Sequence, residues 1–82
     1  MNPVWIIDDD RSIRWVFEKA LTREEIAFKS FGSAAEALAS LEAGAPPPQV
    51  LVTDIRMPGE SGLSLLQKFK ARFPALPVII MT

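Results

Sequence analysis

The chain has 82 residues, 49% hydrophobic and 23% charged, with 9 Lys and Arg against 10 Asp and Glu, which suits one small globular domain over residues 1–82. The near balance of charge gives no electrostatic case for nucleic acid or a membrane, and no apolar run approaches the length of a bilayer span, so the expected setting is the cytoplasm. Without cysteine or histidine, disulfides, thiol chemistry, the usual zinc sites and Ser/His catalysis are excluded, and any metal must be held by oxygen.

The first apolar run, Val4 to Ile7 ("VWII"), has no polar face and stops at Asp8, Asp9 and Asp10, the pattern of a buried parallel strand. From Ser12 the period lengthens: Ile13, Val16, Phe17, Ala20 and Leu21 share one helical face, Arg14, Glu18 and Lys19 fall mostly on the other, and Asp10 is placed to cap the helix. Residues 26–31, "IAFKSF", suit a second and less buried strand, ended by Gly32. Ser33 with Glu36 is a capping-box pattern, and Ala34, Ala37, Leu38 and Leu41 line one face of the short helix after it, which Gly44 and Pro46 to Pro48 close. A third run, Val50 to Thr53, again ends in an acid, Asp54. The turn-rich "IRMPGESG" follows, then a third helix with Leu63, Leu66, Phe69 and Phe73 on its inner face and Pro74 as its stop. The run "VIIM", residues 78–81, is a fourth strand that leads into Thr82.

The order β-α-β-α-β-α-β with short connections predicts an α/β doubly wound parallel sheet with right-handed crossovers and helices on both faces. In the flavodoxin-like arrangement, strand order 2-1-3-4 here, ligands bind beyond the carboxyl ends of the strands where the order reverses, between strands one and three. Those are the two strands that end in aspartate. Neighbouring strands lie about 4.8 Å apart, so Asp54 is expected within a few ångströms of the acids after Ile7. Like charges held so close oppose one another's ionisation unless a cation neutralises them, and an all-oxygen site suits Mg²⁺.

Taken together, "IIDDDRSIRW", "VTDIRMPGESGLSLL" and "LPVIIMT" resemble the receiver domain of bacterial response regulators, most closely its nitrogen-regulation branch, over all 82 residues. The resemblance implies that Asp54 is the phosphoacceptor, that Asp9 is a direct Mg²⁺ ligand with Asp8 as its partner through water, and that the backbone carbonyl of Arg56 is a further ligand. It makes Thr82 the switch hydroxyl and gives Asp10 no metal role. The implied function is to take a phosphoryl group from a sensor histidine kinase, without turnover as an enzyme, and to switch conformation in control of transcription of nitrogen-related genes, with no direct nucleic-acid contact by this segment. Receivers continue through a fourth helix, a fifth strand bringing a lysine to the phosphate, and a fifth helix. The 82 residues are therefore expected to be a partial receiver lacking the last βα unit, whose open edge at "VIIM" invites a dimer or strand-swapped assembly.

Each element also has a plainer explanation. Asp8 to Asp10 alone could be a solvated turn that caps a helix, "RMPG" an ordinary turn, Thr82 a strand terminus, and Arg14 and Trp15 helix surface and partial core rather than a docking face for the kinase. An aspartyl-nucleophile phosphatase of the haloacid dehalogenase type needs a second aspartate two residues after the first, where this chain has Arg56. A non-functional structural fragment is the third alternative.

Overall fold

The structure, a computed structural model, describes residues 2–54 and 62–81. Seven elements alternate along the chain: β1 (Val4–Ile7), α1 (Arg11–Arg23), β2 (Phe28–Phe31), α2 (Ala34–Glu42), β3 (Val50–Asp54), α3 (Gly62–Arg72) and β4 (Val78–Met81). All three strand pairings are parallel, as the alternation of strand and helix predicts, and the spatial order β2-β1-β3-β4 is that of the flavodoxin-like arrangement. The register sets Ile7 opposite both Phe31 and Thr53, so the residues one step beyond, Asp8 and Asp54, emerge side by side at the carboxyl rim of the sheet.

One face of the sheet carries the main core. Trp5 and Ile7 of β1 and Leu51 of β3 pack against Ala34, Ala37 and Leu41 of α2 and against Leu65 and Phe69 of α3, with Leu76 closing the cluster. Trp5 meets Phe31 with ring centroids 4.9 Å apart and Phe69 edge-on at 5.8 Å, so three elements are tied by aromatic contacts with the favoured tilted geometry. Ile6 and Val52, next in alternation, are buried outside this cluster, as continuous apolar runs in a two-faced parallel sheet require.

The helices depart from their sequence patterns in instructive ways. In α1 the expected inner stripe of Ile13, Val16, Phe17, Ala20 and Leu21 is only half used. Val16 is 60% exposed and Ile13 and Ala20 also face outward, while Arg14, Phe17, Glu18 and Leu21 form the half-buried side. On that side the Glu18 carboxylate accepts the Ser30 hydroxyl of β2, and the Arg14 guanidinium lies beside Gly32 just past that strand. In α3 the inner residues are Leu65 and Phe69, with Leu66 half-buried, as is Phe73 just past the helix, whereas Leu63 is exposed. Leu65, spaced four residues before Phe69, takes the core position expected of Leu63.

Strand β2 starts at Phe28 rather than Ile26, because α1 ends in a Schellman closure that uses the intervening residues. The Ile26 N–H donates to the Leu21 carbonyl and the Glu25 N–H to the Thr22 carbonyl, with Glu25 in the left-handed region at φ 58°. Helix α2 ends the same way, with Gly44 at φ 96° in the left-handed position and the Ala45 N–H on the Ser40 carbonyl. Its start is a variant of the expected capping box: Ser33 Oγ accepts the Glu36 N–H, but the Glu36 carboxylate reaches back to the Gly32 N–H at 2.7 Å, one residue earlier than the usual box. Among the described residues, no helix is long and apolar enough to cross a membrane.

A candidate metal centre at the sheet rim

The site begins with the end of β1. Asp8 is 2% exposed, anchored by its own N–H on the Phe31 carbonyl at 3.1 Å, which continues the β1–β2 ladder by one residue. Its carboxylate Oδ1 accepts the Asp10 N–H at 2.8 Å. Asp10 in turn is the N-cap of α1, its side chain accepting the N–H groups of Ser12 and Ile13 at 2.8 and 3.4 Å. Asp9 is exposed, and Asp54, the last residue of β3, is half-buried and paired with Met81.

These pieces converge. Asp8, Asp9 and Asp54 each offer a carboxylate oxygen, and the three oxygens lie within 4.8 Å of one another. Asp10 is outside that group because its carboxylate is spent on the helix. Burial pushes the Asp8 carboxyl above the ordinary carboxylate range; the hydrogen bond from Asp10 N–H opposes the rise, and the charges of Asp54 and Asp9 add to it. A buried carboxyl beside two others is a local excess of negative charge, and hard oxygen donors clustered at this spacing are chemically suited to a small divalent cation such as Mg²⁺.

Sequence reasoning placed Asp8, Asp9 and Asp54 at one rim and gave Asp10 the cap, and the structure brings them together in that way. It did not anticipate the Asp10 N–H and the Phe31 carbonyl as the groups that hold Asp8, since backbone donors and acceptors are present at every position and leave no mark in residue type. The Arg56 carbonyl, the "MPG" turn and Thr82 lie outside the described residues.

The sequence pattern of the response regulator receiver domain matches residues 4–82. The chain belongs to the response regulator receiver family. It is 52% identical over 79 residues to the DNA-binding transcriptional regulator NtrC of Escherichia coli K12, a match over 96% of this chain and 16% of that protein. It is 43% identical over 79 residues to the C4-dicarboxylate transport regulator DctD of Rhizobium meliloti, again 96% of this chain and 17% of the relative. In three dimensions it resembles the solution structure of the apo NtrC receiver domain with a TM-score of 0.84 at 51% identity, covering 99% of this chain and 64% of that one. This receiver chain thus spans about one sixth of the length of the NtrC proteins it matches, and about two thirds of a solved receiver domain.

Proposed function

We propose that this chain is the phosphoacceptor part of a receiver in which Asp54 takes a phosphoryl group from a sensor histidine kinase. The observation that carries the reading is the convergence of Asp54 with Asp8 and Asp9 from two strands that are neighbours in space but 46 positions apart in the chain, 54 minus 8. In the transfer the phosphorus–nitrogen bond of the donor breaks as a bond from phosphorus to a carboxylate oxygen of Asp54 forms. The acceptor needs no general base, because a carboxylate is already a nucleophile at neutral pH. What the protein supplies is position: β3 sets Asp54 at the rim, and β1 sets the two acids beside it.

Asp9 is assigned as a direct Mg²⁺ ligand, Asp8 as its partner through water, and Asp54 and the backbone carbonyl of Arg56 as the remaining protein ligands. A Mg²⁺ ion bound by these groups would neutralise the carboxylates and the charge of the transferring group. Thr82 is assigned as the hydroxyl that turns toward the phosphorylated aspartate, biasing a pre-existing equilibrium between two conformations. The acid two residues after the nucleophile that a phosphatase of the haloacid dehalogenase type requires is replaced by Arg56, which favours a regulatory acceptor over a turnover enzyme.

The likeness to NtrC and DctD supports a place in transcriptional control; a cytoplasmic kinase-to-regulator relay is the proposed setting and nitrogen-related genes the proposed output. The exposed residues of α1, Trp15 among them, are a place where the kinase could dock. Incubating a complete receiver that carries this segment with acetyl phosphate and Mg²⁺ and following intact mass is expected to show one added phosphoryl group, whereas the 82 residues alone are expected to show weak or absent activation. Asp54→Asn should abolish it, as should chelation of the cation. Unchanged modification in Asp54→Asn would show that the acceptor lies elsewhere.

A further inference from the structure

We propose that Asp10 is a positioning residue for the cation site: by capping α1 with its side chain it aims its own N–H at Asp8, so that the helix start and the orientation of the Asp8 carboxylate are set together. This rests on the reading of Asp8, Asp9 and Asp54 as a divalent-cation site.

Asp10 is fixed by three of its own groups. Its side chain holds Ser12 N–H at 2.8 Å and Ile13 N–H at 3.4 Å, its carbonyl accepts the Arg14 N–H at 3.1 Å as the first bond of the helix, and its N–H donates to Asp8 Oδ1 at 2.8 Å. The extended conformation of the cap, φ −85° and ψ 112°, joins these bonds. Turning the Asp10 peptide away would break the hold on Asp8, and the side-chain cap is what keeps that peptide from turning. Asp8 is nearly excluded from water, so a carboxylate released from the Asp10 N–H has little solvent to replace the bond and must reorient or lose its charge. With one oxygen tied, the plane of the carboxylate is set before a cation arrives, which is the role that groups behind the ligands play in metal sites generally.

The Asp10 carboxylate is not one of the three clustered acids, so two effects of it can be separated: the cap, which Ser or Asn also provides, and the negative charge, which they do not. Mn²⁺ binding to the 82-residue chain, measured from the loss of the free-ion resonance and displaced by Mg²⁺, reads the difference. Asp10→Ser and Asp10→Asn are expected to bind within about twofold of the parent, and Asp10→Ala about tenfold more weakly, the size of loss usual for a group behind a metal ligand. In the parent, Mg²⁺ is expected to slow amide exchange at Asp10 and Ser12, because coupling between cap and cation must act in both directions. Equal affinity in Asp10→Ala with a lowered melting temperature would reduce Asp10 to a plain helix cap. Loss in Ser and Asn as large as in Ala would assign the effect to charge. Exchange at Asp10 and Ser12 unaltered by Mg²⁺ overturns the coupling even if the Ala variant does not fold. A parent that binds no cation, by contrast, fails the metal-site reading itself.

Discussion

Asp8 holds a carboxyl group where water is nearly excluded and two other acids are close, and its raised pKa gives a stability consequence with a definite sign. The folded state binds the Asp8 proton more tightly than the unfolded chain, whose value is 3.8. Stability from this group is therefore fully present below pH 3.8 and is lost as pH rises through the higher folded value. In metal-free protein at pH 7, Asp8→Asn should melt at a higher temperature than the parent, since the amide can still accept the Asp10 N–H and carries no charge. The gain should shrink as pH is lowered toward 4, and saturating Mg²⁺ should reverse the order by stabilising only the parent. Equal melting temperatures across that range would mean that the buried charge imposes no cost. At this scale the sequence was informative wherever a side chain does the work: the acids after "VWII" and after "VLVT", and the cap at Asp10, were all legible as residue types at strand ends. The Phe31 carbonyl and Asp10 N–H were not, because their contribution is conformational.

The two helix endings show how the same closure is reached with different residues. Glu25 and Gly44 occupy equivalent left-handed positions at the ends of α1 and α2, but only glycine reaches that region without a steric penalty from Cβ. Glu25→Gly should raise stability by about 0.5 kcal/mol. Gly44→Ala should lower it by about 1 kcal/mol, and nothing within 4 Å of the added Cβ would confuse the backbone effect with a clash. Urea midpoints at unchanged slope would measure both, and a shift of the same sign for the pair would contradict the equivalence. The Gly44 stop was readable in the sequence, whereas the Glu25 stop was not, and so strand β2 was expected two residues too early. The facing of α1 was hidden for a related reason. Its apolar residues repeat at helical spacing, but the side that meets the sheet also carries Glu18 on Ser30 and Arg14 beside Gly32, contacts between distant chain segments that spacing does not encode.

Across the whole molecule, the parallel sheet followed from the alternation of strands and helices, its order is that of the flavodoxin-like arrangement, and the position of the site followed from the order. Register was the missing quantity. Only the pairing of Ile7 with Thr53 brings Asp8 level with Asp54; a slip of one residue would exchange the faces of the whole strand. The two sheet edges also differ. Edge strand β2 carries an exposed Lys29, a residue type that discourages further pairing, while β4 is uncharged and Ile79 on it is 55% exposed. The central claim, that two distant acidic segments form one cation site, is tested most directly by paramagnetic broadening in isotope-labelled protein titrated with trace Mn²⁺. The account predicts that the amide signals of Asp8, Asp9 and Asp54 are broadened together at the same low Mn²⁺ concentration and recover together on excess Mg²⁺. Broadening confined to residues 8–10, with the Asp54 signal untouched, would contradict it.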